Sequence, residues 1–208
     1  MAMIRFIPNI LTILRLVMTI VFLVMILYAP ASDAANRGIY MDIVFILFVV
    51  AGLTDIVDGH IARRFNVTSK FGRMLDPLVD KVLVCGAFIC FALAGEPKLF
   101  GLSGANLATI HWATAAILIL REAYVTILRQ IAEARGVNFA ATLSGKLKMF
   151  LQSFAIGTVI IKMGHVQTAT WGYWFTAVTY ALMLGATVVS GIRATQRTSW
   201  KQAAGTAS

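Results

Sequence analysis

Residues 55–80 read DIVDGHIARRFNVTSKFGRMLDPLVD, and this stretch joins two long apolar runs. One run covers roughly residues 39–59 and the other roughly residues 75–95. The stretch holds four of the nine acidic residues of the chain. The four are Asp55, Asp58, Asp76 and Asp80. Carboxylates gathered at the ends of apolar segments point to a candidate site at the boundary of a membrane.

The apolar runs are long enough to cross a lipid bilayer. A transmembrane helix needs about 20 mainly apolar residues, and six segments of this chain meet that requirement. They lie at roughly residues 8–28, 39–59, 75–95, 107–129, 146–163 and 171–192. Of the 208 residues, 59% are hydrophobic and 13% are charged, whereas a soluble domain is about half apolar and about a quarter charged. The sequence therefore predicts an all-α integral membrane protein, with six transmembrane helices in a single domain over residues 1–208.

The positive charge of the chain predicts its orientation. Lys and Arg total 18 against 9 Asp and Glu, which gives a formal net charge of +9. Nine of these basic residues flank the spans on one side and three on the other, so both termini are expected in the cytoplasm. A bacterial cytoplasmic (inner) membrane fits this pattern. No zinc-finger spacing or basic low-complexity tail supports a nucleic-acid partner.

The aspartates form two pairs with helical spacing. Asp55 and Asp58 are three residues apart and share a helix face. Asp76 and Asp80 are four residues apart and also share a face. Because a short basic loop joins the second and third spans, we expect these two helices to be antiparallel neighbours. The four carboxylates would then converge just inside the cytoplasmic boundary.

Four close carboxylates at a membrane boundary repel one another and lose hydration, so positive charge has to offset them. Hard divalent cations such as Mg²⁺ or Mn²⁺ bind oxygen ligands, and two of them about 3.5–4 Å apart are a known arrangement for displacement at phosphorus. Alternatively, the aspartates could form structural ion pairs with Arg63, Arg73 and Lys81 instead of binding metal ions. Small residues beside the aspartates favour a cleft that a ligand can approach closely. These are Gly59, Ala62 and Gly72.

In order, residues 55–80 spell D-x-x-D-G-x-x-A-R-x8-G-x-x-x-D-x-x-x-D. This pattern of eight fixed positions resembles the signature of the CDP-alcohol phosphotransferases, without departure from it. The resemblance implies a bundle of six transmembrane helices, usually a homodimer. It also implies an enzyme that moves a phosphatidyl or related group from a CDP-linked donor to an alcohol and releases CMP.

The resemblance implies a role for each position of the pattern. Asp55, Asp58 and Asp76 would hold two divalent cations over the donor diphosphate. Asp80 would complete the second metal site and act as general base on the acceptor hydroxyl. The cytidine diphosphate pocket would be lined by Gly59, Ala62, Arg63 and Gly72.

Three further stretches resemble those members of the family whose acceptor is sn-glycerol 3-phosphate and whose donor is CDP-diacylglycerol. The stretches are IPNILTILR at residues 7–15, REAYVTILR at residues 121–129 and SGKLKMFLQ at residues 144–152. Basic side chains of the last two are expected to bind the acceptor phosphate, because that group is a dianion near neutral pH. They are Arg121, Arg129, Lys146 and Lys148. The alternative is that these cations serve only orientation, with Arg121 in an ion pair to Glu122 or to another helix.

The first of these stretches places three polar groups on one face of the first span. Asn9, Thr12 and Arg15 follow one another at intervals of three residues. Polar groups on one face of a lipid-embedded helix are expected to point into the protein or a cavity. We assign these residues to the donor side of the cleft. An interfacial anchoring role is the alternative.

Two other functions stay open at this stage. The same chemistry could use another alcohol, such as inositol phosphate, serine or phosphatidylglycerol. A divalent-cation transporter would also need membrane carboxylates, but its site is expected near the bilayer midplane, often between repeated halves. Here the acids lie near one face, and the sequence shows no repeat. The expected partners are therefore CDP-diacylglycerol, sn-glycerol 3-phosphate, membrane lipids and a second copy of the chain.

Overall fold

Each of the six predicted spans corresponds to one helix. A computed structural model describes the backbone of residues 7–29, 34–65, 70–135 and 143–205, and the side chains of residues 10–29, 36–54, 75–135 and 143–196. The described backbone is helical apart from short connections. The helices are α1 (Ile7–Leu27), α2 (Ala34–Phe65), α3 (Lys70–Ala94), α4 (Gly104–Ala134), α5 (Leu143–His165) and α6 (Thr170–Gly205). The prediction of an all-α membrane bundle is confirmed.

The two longest helices extend well beyond what a bilayer requires. With 32 residues in α2 and 36 in α6, and a rise of about 1.5 Å per residue, both exceed the roughly 30 Å hydrocarbon core. The extra turns of α2 carry the first aspartate pair, so that pair lies on continuous helix.

Within the described residues, five helices contain a window long and apolar enough to span a membrane. The exception is α4, whose length suffices but whose polar residues lower its mean hydropathy. Some of its polar side chains face the interior: His111 and Thr114 are buried, and His111 Nε2 lies 3.2 Å from the carbonyl oxygen of Pro97. The set of apolar helices indicates a multi-pass membrane protein, in which α4 is the polar member.

Contacts between the described residues arrange the helices as a ring. In order around the ring, the helices are α1, α2, α5, α6, α4 and α3, and α3 closes the ring against α1. A further contact joins α3 to α5 across the interior. The ring surrounds an apolar core, built from residues such as Phe22, Phe88, Phe91, Ile156 and Met183. Large apolar side chains also cover the outside of the bundle, as lipid contact requires.

The prediction that α2 and α3 are direct neighbours is wrong over the described residues. There α1 packs between them and contacts both, whereas α2 and α3 are not in contact. A short loop restricts how far apart two helix ends can lie, but it does not prevent a third helix from inserting between them. As a consequence, the polar face of α1 reaches the second aspartate pair.

Candidate active site

The second aspartate pair is held by side chains of α1. The guanidinium of Arg15 donates from Nη2 to Asp76 Oδ1 at 2.9 Å and from Nη1 to Asp80 Oδ1 at 3.1 Å. The hydroxyl of Thr12 donates to the same Asp76 oxygen at 2.9 Å. The helical spacing of four residues brings both carboxylates onto one face, where a single guanidinium fork reaches both. This explains why Thr12 and Arg15 lie on one face of α1.

Burial differs sharply across this group. The side chain of Arg15 is 1% exposed, whereas those of Asp76 and Asp80 are 42% and 36% exposed. A buried cation therefore lies beneath two accessible carboxylates. Arg15 offsets part of the repulsion between them, in addition to the divalent cations or other basic residues that the sequence predicts for this role. Because both carboxylates are partly exposed, a further cation could still reach their oxygens.

The rest of the predicted metal and donor site lies outside the described side chains. This applies to Asp55, Asp58, Gly59, Ala62, Arg63, Gly72 and Asn9. Their backbone is helical, with Asp55 and Asp58 on one face of α2 and Gly72 in the first turn of α3. Among the side chains that the structure describes, no three His, Cys, Asp or Glu residues form a group suited to a metal ion. The convergence of all four aspartates stays a prediction.

A second polar cluster fills the interior between α4, α5 and α6. Arg121 Nη1 donates to Glu122 Oε1 at 2.9 Å, and the Nζ of Lys148 donates to the same oxygen. Arg121 Nη2 also donates to Ser190 Oγ on α6. Lys148 is 6% exposed in its side chain, Arg121 13% and Glu122 16%. We call these four residues, together with Lys81 described below, the Glu122 cluster.

The Glu122 cluster is connected to the second aspartate pair through α3. Lys81, the residue after Asp80, donates from Nζ to Thr126 Oγ1 at 2.7 Å. Thr126 in turn donates to the carbonyl oxygen of Glu122 at 2.6 Å. The described hydrogen bond of Lys81 is thus to α4, not to an aspartate. On α3, a cation that reaches α4 therefore directly follows the second aspartate pair in the chain.

The four cations predicted to bind an acceptor phosphate separate into two kinds. Arg121 and Lys148 come together at Glu122, which also confirms the ion pair considered as the alternative for Arg121. Arg129 and Lys146 are exposed. Sequence reasoning did not identify Lys81 or Ser190 as partners of this group. Lys81 was considered only as an ion-pair partner of the aspartates, and nothing in the local sequence distinguishes Ser190 from other serines.

The sequence and the folded site define a family. Residues 5–190 match the sequence profile of the family described as CDP-alcohol phosphatidyltransferase. The chain therefore belongs to the CDP-alcohol phosphatidyltransferase family, and it is an enzyme of that family.

The names of similar proteins indicate which members of the family this chain resembles. A protein of Mycobacterium tuberculosis named "Probable phosphatidylglycerophosphate synthase" is 32% identical over 185 residues, which cover 88% of this chain and 77% of that protein. Two others are named "CDP-diacylglycerol--glycerol-3-phosphate 3-phosphatidyltransferase". The one from Rickettsia typhi is 34% identical, covering 74% of this chain and 75% of that protein. The one from Bacillus subtilis is 37% identical, covering 56% of this chain and 53% of that protein.

Proposed function

We propose that this enzyme transfers the phosphatidyl group of CDP-diacylglycerol to sn-glycerol 3-phosphate, giving phosphatidylglycerophosphate and CMP. The observation that supports a phosphorylated acceptor is the buried group of cations at Glu122, which is linked through Thr126 and Lys81 to the helix that carries the second aspartate pair. A phosphate monoester carries about −1.5 to −2 charge near neutral pH and is well matched by several cations, whereas the single carboxylate of serine is balanced by its own ammonium group. The printed names of the similar proteins support the same donor and acceptor.

We propose that the four aspartates hold two divalent cations, Mg²⁺ or Mn²⁺, as the family generally does. The donor set fits such ions, because Asp76 and Asp80 present accessible carboxylate oxygens and hard cations prefer oxygen ligands. When bound, the metals would neutralise the donor diphosphate and favour displacement at phosphorus. Asp55 and Asp58 would complete the ligand set from α2.

The remaining roles, which are proton transfer and binding of the donor and the acceptor, are proposed for side chains of the protein. Asp80 would accept the proton of the acceptor hydroxyl through a carboxylate oxygen, as a positioned general base does. Thr12 and Arg15 contact the carboxylates of the second aspartate pair. Their proposed role is therefore to hold Asp76 and Asp80 in place rather than to bind the donor directly. The residues proposed to contact the donor are then Asn9, Gly59, Ala62, Arg63 and Gly72. The phosphate of the acceptor would bind Arg121 and Lys148 inside the bundle, with Arg129 and Lys146 at its exposed edge.

Two further proposals concern the setting of the site. The excess of basic residues on one side favours a cytoplasmic active site in a bacterial inner membrane, with both termini on that side. A homodimer of this single catalytic domain is proposed from the family resemblance. Transport of divalent cations is disfavoured, because the chain matches a family of enzymes over most of its length.

The acceptor is tested by measuring CMP release from CDP-diacylglycerol. The full-length protein in detergent with Mg²⁺ would be offered glycerol 3-phosphate, inositol phosphate, serine and phosphatidylglycerol in separate reactions. We expect release with glycerol 3-phosphate to be the fastest, and at least about tenfold faster than with serine, because an acceptor without a phosphate would leave the buried donors of the site unpaired. Faster release with serine would contradict the proposed acceptor while leaving the transfer chemistry in place.

Replacing the cation beneath the aspartates tests its positioning role. Arg15→Met is expected to lower CMP release about tenfold to a hundredfold, because a hydrogen bond to a charged group contributes about 1.5–3 kcal/mol. Arg15→Lys should lose less, since it keeps the charge but not the fork that reaches both carboxylates. Arg193→Met on the exposed face of α6 is the matched control. Wild-type rates in Arg15→Met would show that Arg15 is not needed to hold the pair.

A further inference from the structure

The proposed function uses the cations of the Glu122 cluster but gives no role to its carboxylate. Glu122 Oε1 accepts from Arg121 on its own helix and from Lys148 on α5. All three side chains are largely buried. A buried carboxylate among phosphate-binding cations competes with the phosphate unless it also organises them. Its position therefore requires a physical account.

The helix arrangement shows what Glu122 connects. Over the described residues α4 and α5 are not packed against each other, because α6 lies between them in the ring. The contact of Glu122 with Lys148 therefore crosses the interior of the bundle. Arg121 extends the same network to Ser190 on α6, and Thr126 extends it to Lys81 on α3. Glu122 is the point at which side chains of otherwise separate helices meet.

The formal charges of the cluster match one phosphate monoester. Arg121, Lys148 and Lys81 contribute three positive charges and Glu122 contributes one negative charge, which leaves a formal charge of +2. A phosphate monoester carries about −1.5 to −2 near neutral pH. Without Glu122 the formal charge of the cluster would rise from +2 to +3. Arg121 and Lys148 would then repel each other with no carboxylate between them.

Two buried hydrogen-bond donors in or near the Glu122 cluster have no partner in the part of the protein that the structure describes. Among the described residues, Arg121 Nε and Gln152 Nε2 are buried without a hydrogen-bond partner. Gln152 lies one turn beyond Lys148 on α5 and is 1% exposed. Buried donors are normally satisfied, so these two donors are available to a further acceptor atom such as a phosphate oxygen.

We propose that Glu122 is a positioning residue for the acceptor phosphate, an inference that rests on the proposed function. It holds Arg121 and Lys148 at a fixed separation before the substrate arrives. It also leaves the cluster with the net charge that one phosphate monoester neutralises. The phosphate then binds cations that are already ordered, which lowers the cost of ordering them on binding.

The experiment compares Glu122→Gln with Glu133→Gln in the full-length enzyme. Glu133 is on the same helix but is exposed, so the second variant is a matched control. Glu122→Gln keeps the size of the side chain and removes its charge. We expect its KM for glycerol 3-phosphate to rise at least about tenfold, with kcat and the KM for CDP-diacylglycerol changed less than about threefold. Glu133→Gln should match the wild type.

Three results would overturn the inference. An unchanged or lower KM for glycerol 3-phosphate in Glu122→Gln would mean that Glu122 does not position the cations. An equal rise in the KM for CDP-diacylglycerol would show a general structural role. If Glu122→Gln does not fold, Glu122→Asp keeps the charge but shortens the reach by one methylene. A raised KM for glycerol 3-phosphate in that variant supports positioning, and a wild-type KM overturns it.

Failure of the inference can be separated from failure of the proposed function. If the wild-type enzyme does not use glycerol 3-phosphate, the proposed function fails, and the inference that rests on it fails with it. If the wild type uses glycerol 3-phosphate and Glu122→Gln keeps its KM, only the inference about Glu122 fails.

Discussion

Asp80→Asn is expected to reduce CMP release about 10²- to 10⁴-fold, the range that a positioned general base contributes. The amide has nearly the same shape as the carboxylate but does not accept a proton at neutral pH. It would also weaken the second metal site and the hydrogen bond from Arg15. The measurement is CMP release at saturating CDP-diacylglycerol and glycerol 3-phosphate.

The control for this variant is Asp42→Asn. Asp42 is an exposed aspartate in α2 that pairs with His165, and its side chain is 57% exposed. The same chemical change there should leave CMP release within about twofold of the wild type, since exposed ion pairs contribute about 0–1 kcal/mol. Loss of activity in Asp42→Asn alone, with Asp80→Asn active, would contradict the assignment of Asp80.

Removal of divalent cations is expected to abolish CMP release. Four carboxylates with a CDP-linked diphosphate above them would repel one another without metal ions, so the donor should not bind productively. The enzyme would be dialysed against EDTA and assayed before and after addition of Mg²⁺ or Mn²⁺. We expect both ions to restore activity, because both prefer oxygen ligands.

A chelator control separates metal loss from damage to the protein. EDTA that has already been saturated with Mg²⁺ should leave the rate unchanged. Metal analysis of the reloaded enzyme should give two ions per chain. Full CMP release after exhaustive removal of divalent cations would show that the aspartates act without metal and would contradict the proposed site.

The fold could be predicted from the sequence because it depends mainly on long apolar runs. The six runs predicted the six helices, with differences only at their ends. The order of the helices around the ring could not be predicted, because it depends on which helix faces pack together and not on periodicity. This is why α1 was not expected between α2 and α3, where it brings Arg15 to Asp76 and Asp80.

The candidate site, like the fold, could be predicted from the sequence only in part. Asp76 and Asp80 could be placed on one face because they share a helix, and the structure describes them together. Lys146 and Lys148 looked equivalent in sequence, yet Lys148 is buried and Lys146 is exposed. Two residues along a helix correspond to a rotation of about 200°, so only one of them can face the interior. Gln152, four residues after Lys148, lies on the same helix face and is also buried, so a second polar residue at this spacing is the signal that could have indicated the interior face.

Contacts between residues on different helices could not be predicted from the spacing of residues in the sequence. Ser190 meets Arg121 because α6 packs against α4, and the two residues are 69 positions apart. Lys81 bonds Thr126 across the contact of α3 with α4. Neither pair lies within one element, so neither follows from a helical period. Both follow from the ring order that the folded chain adopts.

The central claim is that the chain joins the phosphatidyl group of CDP-diacylglycerol to sn-glycerol 3-phosphate. The most direct measurement is the transfer of radiolabel from glycerol 3-phosphate into the lipid phase, with the purified enzyme, CDP-diacylglycerol and Mg²⁺. We predict labelled phosphatidylglycerophosphate in amounts equal to the CMP released, and none from Asp80→Asn. CMP release without label in the lipid, or label in the lipid without CDP-diacylglycerol, would contradict the account.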